Sequence, residues 1–348
     1  MIGSLCRAAQ APPEGVDVAA ELRRRTFLCV VAVGFARPFA VLAQPAERVQ
    51  RIGVLIYGDD DTRASRAQVA SLRGGLKAWG WVEGHNLRFD LRFASDPERI
   101  RERAGELVSA APDVIVVNTN QATKALQSLT QTIPIVFAGV GDPVASGLVA
   151  SLPHPGRNIT GITNLFFSVG GKWLELLKET SPRLERIGIV FNPDLTTREA
   201  WFAAMEGAAP LVGVTLAKLP VRNPVDIERA LAGFAQQPHG GLIVVPPGLV
   251  GTERDLLIRL ARERRLPAVY PARTYAADGG LMSYGADTAD LFRQSATHID
   301  RILRGAKPSD LPVQFPTKFE LVINLVTARA MGLMIEPTLM ARADELIE

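Results

Sequence analysis

RIGVLIYGDD, residues 51–60, is the stretch that decides the fold. Ile52 to Tyr57 is a short, nearly continuous apolar run that stops at Gly58 and three acids, Asp59, Asp60 and Asp61. A strand without polar alternation is one covered on both faces, as in a parallel sheet between layers of helix. Working outward, a helical stretch over residues 65–79 leads to a turn flanked by Gly80 and Gly84. There NLRFDLRFA alternates Leu87, Phe89, Leu91 and Phe93 with polar residues, the pattern of a half-covered strand. A helix over 97–110 follows, with Asp96 as its cap and Pro97 at its first position. Strand 113–119, helix 121–129 and strand 133–139 continue the alternation, which predicts a doubly wound α/β sheet.

RIGIVFNPD, residues 186–194, resembles the opening strand and starts a second series. Between the two series, SLPHPGRNITGITN (151–164) is rich in Pro, Gly and Asn and reads as a boundary or crossover. The second series runs through helix 197–212, strand VTLAKLP, helix 225–236, strand 241–247, helix 252–264, and strands 266–271 and 279–285. Two last helices, 291–303 and 319–331, are predicted to pack back across both halves. The expected architecture is therefore two α/β lobes with doubly wound parallel sheets, joined by flexible crossovers around a central cleft. Lobe 1 takes residues 46–164 plus 286–312, and lobe 2 takes 165–285 plus 313–348.

Ahead of both lobes, RRRTFLCVVAVGFARPFAVLA (23–43) has a basic start, an apolar middle and a small-x-small end. This predicts a twin-arginine-like export leader over 1–43, cleaved near Ala43, and a periplasmic protein. The apolar run is too short to span a bilayer. Both cysteines, Cys6 and Cys29, fall inside this leader, so no disulfide and no Cys-ligated metal is expected in the mature chain. The leader also holds Arg7, Arg23, Arg24, Arg25 and Arg37 against Glu14, Asp17 and Glu21. Removing them from 39 basic and 36 acidic residues leaves 34 and 33, so the mature protein is near neutral and no nucleic-acid partner is expected.

In open α/β sheets, ligands bind beyond the carboxyl ends of the strands. Tyr57, Tyr270 and Tyr284 stand there, each offering a flat apolar face and a hydroxyl, or else simple packing against a neighbouring strand. Asn118, Thr119, Asn120 and Gln121 lead from a strand directly into a helix. Their N–H groups suit an anionic group, although capping alone accounts for one of them. Asn192-Pro193-Asp194 and Pro246-Pro247-Gly248 are the corresponding loops of the second half. Asp142, in VGDPVASG, is placed to receive an ammonium or to cap a short helix beginning at Pro143.

No G-x-G-x-x-G, Walker loop or G-x-S-x-G is present, and Ser283 in GGLMSYG has the wrong spacing for a nucleophile elbow. His85, His154, His239 and His298 form no metal or base pairing. Asp59 to Asp61 read as a solvated loop tip. No catalysis, cofactor or metal is therefore expected.

Several of these segments together resemble the ABC-transporter substrate-binding protein family that includes tryptophan- and tyrosine-binding members. They are RIGVLIYG, DVIVVN, TIPIVFAGVGDPVASGLVASLPHPGRNITGITN, LPAVYPARTYAADGGLMSYG and AKPSDLPVQFPTKFELVINLVTARAMGL. The resemblance runs from about Arg51 to the C-terminus. It implies a type I periplasmic binding fold that closes on a solute by hinge bending and then docks on a membrane permease. It also implies cleft loops at Tyr57–Asp59, Asn118–Gln121, Gly139–Asp142, Asn164–Phe166 and Asn192–Asp194, and at Tyr270 and Tyr284. Where the family often has a small residue followed by Gly, this chain has VNTNQAT. The expected partners are a small solute, an amino acid or an aromatic carboxylate, and the permease, with the protein itself a monomer. An exported sensory module and a periplasmic α/β enzyme are the alternatives.

Overall fold

The computed structural model of the chain describes residues 48–348 except Asp60, Asp61, Leu165, Thr196 and residues 247–250, together with the backbone but not the side chains of 251 and 252. The expected leader, the Asp60 and Asp61 loop tip, and Pro247 and Gly248 therefore lie outside the described residues.

Strand β1 (Gln50–Tyr57) is an interior strand of the first sheet. It pairs in parallel with β2 (Leu87–Ala94) on one side and β3 (Val114–Val117) on the other. β4 (Ile135–Val140) and β5 (Ile159–Thr163) extend the sheet in the order β2-β1-β3-β4-β5. Buried side chains fill both faces of β1 and β3, as their unbroken apolar runs require. The connecting helices are α1 (Arg63–Ala78), α2 (Pro97–Ser109) and α3 (Asn120–Leu129). Each has its cap in the sequence. Thr62 Oγ1 accepts from Ser65 N, Asp96 Oδ1 from Glu98 and Arg99 N, and Thr119 Oγ1 from Ala122 N.

The second half repeats this plan. After α4 (Val169–Thr180), β6 (Arg186–Phe191) takes the place of β1, between β7 (Thr215–Pro220) and β8 (Gly240–Val244). β9 (Ala268–Tyr270) and β10 (Met282–Ala286) complete five parallel strands in the equivalent order. The helices between them are α5 (Arg198–Val212), α6 (Pro224–Phe234), α7 (Gly251–Glu263) and the short α8 (Arg273–Ala277). Then α9 (Thr288–Leu303) returns to the first sheet and packs on α1, β4 and β5. The two helices touch at Gly75, where a Cβ would stand 2.7 Å from Arg293 O and 2.9 Å from Ala296 Cβ, so only glycine permits this approach.

Two expectations are corrected. The stretch 151–164 is not connection alone: its last residues form β5, parallel to β4 with a shift in register between Ala138 and Val140. Gly161, at φ 151°, lies so close to Phe137 O that any side chain would clash, which is why a glycine-rich segment makes this edge strand. The predicted helix 319–331 is strand for its first half. β11 (Phe319–Asn324) pairs antiparallel with β10 and parallel with β12 (Glu345–Ile347). Its helical part is α10 (Leu325–Met331), capped by Asn324, whose Oδ1 accepts from Thr327 N. Pairing on both sides outweighs the helical look of the sequence. A last short helix, α11 (Pro337–Met340), precedes β12.

The chain passes between the sheets after β5, after β10 and after a 3₁₀ turn at Pro308–Asp310. These passages are tied together. Gln314 N donates to Gly161 O (3.0 Å), Thr163 N donates to Gln314 O (2.9 Å), and Asp287 N donates to Lys318 O (3.1 Å).

Candidate functional site

A cavity of about 550 Å³ lies at the carboxyl ends of both sheets, between the two halves and beside the crossovers. Its first wall comes from the first sheet and is polar. Gln68 on α1, Asn118 and Thr119 after β3, Asn120 and Gln121 at the start of α3, and Gly141, Asp142 and Ser146 after β4 all line it. The second wall is apolar: Leu195 and Trp201 after β6, Pro246 after β8, and Pro271, Ala272 and Tyr275 after β9. Asn164, Phe166, Ala286 and Thr288 close it at the crossovers.

On the polar side, hydrogen bonds between loops fix the side chains. Asn118 Oδ1 accepts from Tyr57 N (2.8 Å), joining the ends of β3 and β1. Asn120 holds the turn after β4 through three bonds to Gly141 and Ser146. Asp142 has φ 22°, an uncommon geometry for a residue with a side chain, and its Oδ1 accepts from Ala145 N (2.9 Å). Capping, one of the two roles open to Asp142, is thus present, and the residue is also part of the cavity lining.

On the apolar side, Trp201 is fully buried and stacks on Trp173 (centroids 5.1 Å apart, planes at 15°). Phe166 and Phe167 meet Trp201 edge-on at 6.3 and 5.0 Å. Such contacts fix an aromatic wall rigidly. The buried Trp201 indole N–H has no hydrogen-bond partner among the described residues, which is uncommon in native interiors.

Of the residues singled out in the sequence, Asn118, Thr119, Asn120, Gln121, Asp142, Asn164 and Phe166 line the cavity. Tyr57, Asp59, Asn192, Asp194, Tyr270 and Tyr284 do not line it. Tyr57 is 44% exposed, and the Asp59 carbonyl accepts from Thr62 Oγ1. Asn192 Oδ1 accepts from Asp194 N, and Asp194 is forked by Arg222, whose hydrogen bonds lower its pKa. Tyr270 is buried against Tyr275 (5.0 Å, 17°), and burial raises its hydroxyl pKa. Tyr284 stacks on Phe319 (5.9 Å, 22°). Trp201 and Tyr275 were missed because they sit in helices rather than at strand ends. The usable signal was their place: each falls in the first turn of the helix that follows a strand-end loop.

Charged groups gather at the crossovers. Lys318 pairs with Asp287 (2.9 Å), which caps α9. Burial opposes ionisation of Asp287, but Lys318 and the α9 N–H groups outweigh it and lower its pKa. Arg273 forks Glu345 at 2.7 and 2.6 Å, and Arg63 on α1 reaches Glu345 from the other side of the cleft at 3.7 Å. Beside them, burial and the Asp287 charge push the Glu320 carboxyl up to about 7 against the pull of Arg273.

Among the described residues, no group of three or more His, Cys, Asp or Glu is placed to hold a metal ion. Nor is any of their helices long and apolar enough to cross a membrane.

Fold and site together define a two-lobed α/β solute-binding protein of the type I periplasmic kind. Residues 52–347 match the family described as ABC transporter substrate binding protein, and the chain belongs to that family. A Tyrosine-binding protein of Clostridioides difficile (strain R20291) is 25% identical over 265 residues, 75% of this chain and 76% of that protein. A conserved domain protein of Vibrio cholerae, solved by crystallography, is 31% identical and superposes with a TM-score of 0.69. The match covers 86% of this chain and all (100%) of that one. An ABC domain in complex with L-Trp from Streptococcus pneumonia shares the fold at 22% identity and TM-score 0.69, over 86% and 99% of the two chains.

Proposed function

We propose that this chain is the periplasmic solute-binding component of an ABC importer and captures an amino acid or a related aromatic carboxylate. The observation that carries the reading is the cavity between the sheets, polar on one wall and aromatic on the other. The name of the C. difficile relative and the L-Trp bound in the S. pneumonia structure support an aromatic amino acid as the solute class. In this reading the solute carboxylate meets the N–H groups at the start of α3, where the helix dipole favours negative charge. Its ammonium meets Asp142, and its ring lies among Phe166, Trp201 and Tyr275. Lobe 1 (46–164 plus 286–312) and lobe 2 (165–285 plus 313–348) close by bending at the crossovers, because the solute's contacts with both favour the shut state. The closed form, a monomer cleaved near Ala43 on export, then docks on the permease. It performs no catalysis and binds no nucleic acid.

The test is a calorimetric titration of the chain from Gln44, stripped of solute by unfolding and refolding, with L-tyrosine, L-tryptophan and their deaminated acids. Saturable one-to-one binding of an aromatic amino acid is expected. A folded, stripped protein giving no heat with any of the four would overturn the reading.

A further inference from the structure

Asp142 is the one charged side chain among the described residues that line the cavity, yet it stands on an exposed turn in an unfavourable backbone geometry, φ 22°. Something must hold it there. Within the turn, Asp142 Oδ1 accepts from Ala145 N and Asp142 O from Ser146 N, and Gln127 on α3 reaches Gly147 O at 3.2 Å. The tightest hold from outside the turn is Asn120, the first residue of α3. Its Oδ1 accepts from Gly141 N (3.0 Å), and its Nδ2 donates to Gly141 O (2.6 Å) and to Ser146 Oγ (2.6 Å). The turn is thus gripped on both sides of Asp142, at the residue before it and four residues after it. A side-chain amide with both ends engaged in this way has little capacity left for a solute.

We propose that Asn120 is a positioning residue: it fixes the turn after β4 so that the Asp142 carboxylate faces the cavity, and thereby selects solutes that carry a cationic amine over their deaminated counterparts. This inference rests on the cavity being the solute site and goes beyond it, since it assigns the choice between two otherwise identical aromatic acids to a residue that does not contact them. It also revises the expectation that Asn120 itself contacts the solute. The mechanism is electrostatic and geometric. A charge-assisted hydrogen bond between ammonium and carboxylate needs a short, directed approach. If the turn is free to relax from its strained geometry, the carboxylate moves into solvent and the preference for an amine disappears.

The experiment measures dissociation constants of the stripped chain for L-tyrosine and for 3-(4-hydroxyphenyl)propionate. The unmodified chain, Asn120→Ala, Asp142→Asn and the double variant are compared. The unmodified chain is expected to prefer L-tyrosine. Asn120→Ala is expected to weaken L-tyrosine about tenfold or more, the loss of one charge-assisted bond, and to weaken the deaminated acid by clearly less, so that the ratio of the two constants collapses. Asp142→Asn gives the same pattern, and the double variant is no worse than Asp142→Asn alone, because the two act through one group. Ser146→Ala, which removes one partner of the clamp, shifts the preference in the same direction by less. Equal weakening of both ligands in Asn120→Ala, or additive losses in the double variant, would overturn the positioning role. An unmodified chain that binds both ligands equally well defeats this inference and leaves the cavity reading standing; one that binds neither defeats both.

Discussion

The two halves of the molecule begin alike and end differently. RIGVLIY and RIGIVFN form the equivalent strands β1 and β6, and their neighbours follow in the same order. At the strand ends the likeness stops. The first half offers amides, a carboxylate and main-chain N–H groups held by loop-to-loop hydrogen bonds. The second half offers Trp201, Tyr275 and proline, with Trp201 packed into a hydrophobic core continuous with the first half and Tyr275 into a core of the second half alone. Topology therefore fixes where a solute sits, and the local sequence after each strand fixes what each wall does. A consequence follows for mutation. The aromatic wall is part of a core, so changing it costs stability, whereas the polar wall is a set of surface loops and changing it costs recognition.

The largest effect expected from this contrast is that of Trp201→Ala. Trp201 is fully buried and stacked between aromatic neighbours, so truncation should cost about 3–5 kcal/mol in denaturant unfolding. Trp201→Phe should recover much of that loss. On the opposite wall, Asp142→Asn should leave the unfolding midpoint nearly unchanged while costing about 1.5–3 kcal/mol of affinity for an amine-bearing solute. If both substitutions unfold the protein to the same degree, the contrast between walls is broken.

A smaller effect concerns pH. Glu320 on β11 has its carboxyl pushed up to about 7, from an ordinary 4.5, by burial and then by Asp287. The folded state therefore holds a proton that the unfolded state releases, and Glu320's contribution makes the protein less stable as pH rises from 4.5 to 7. Asp287, Lys318, Arg273, Glu345 and Asp344 are the charges around it. Discounted for its partial exposure, the effect is on the order of 1 kcal/mol. Between pH 5 and 7 the melting temperature of the unmodified chain should change less favourably with rising pH than that of Glu320→Gln, since only the former loses the Glu320 contribution.

The smallest is the ion pair across the cleft. Arg63 is 82% exposed and 3.7 Å from Glu345, so Arg63→Ala should weaken solute binding by no more than about 0.2–1 kcal/mol. That difference should vanish at high salt; one that survives 1 M salt would mean that Arg63 does more than pair.

Much of this was legible in the sequence, for identifiable reasons. Apolar runs bounded by glycine and capping residues announced the parallel strands and helices, because burial on both faces leaves no other reading. The place of Asn118 to Gln121 and Asp142 on the cavity lining was legible because strand-to-helix loops lie at the cleft by topology. Tyr270 and Tyr284 lie off the cavity lining, because a residue at the end of a strand faces either the cleft or the helix layer, and sequence position alone does not distinguish them. Tyr270 turned toward Tyr275. β5 and β11 were hidden for opposite reasons. Gly161 disguises an edge strand as a loop, and KFELVINLVTARAM carries the charges and aliphatics of a helix. In β11 the partners on both sides, β10 and β12, lie far along the chain, so no local pattern records them.

The central claim is that one solute is held between a polar wall from the first half and an aromatic wall from the second. Its most direct test is the structure of the chain crystallised with the tightest-binding aromatic amino acid from the titration. The account predicts the ring against Trp201, Phe166 and Tyr275, the ammonium at Asp142, and the carboxylate at the start of α3. A solute bound the other way round, with its charged end among the aromatic rings, or bound outside the cavity, would contradict it.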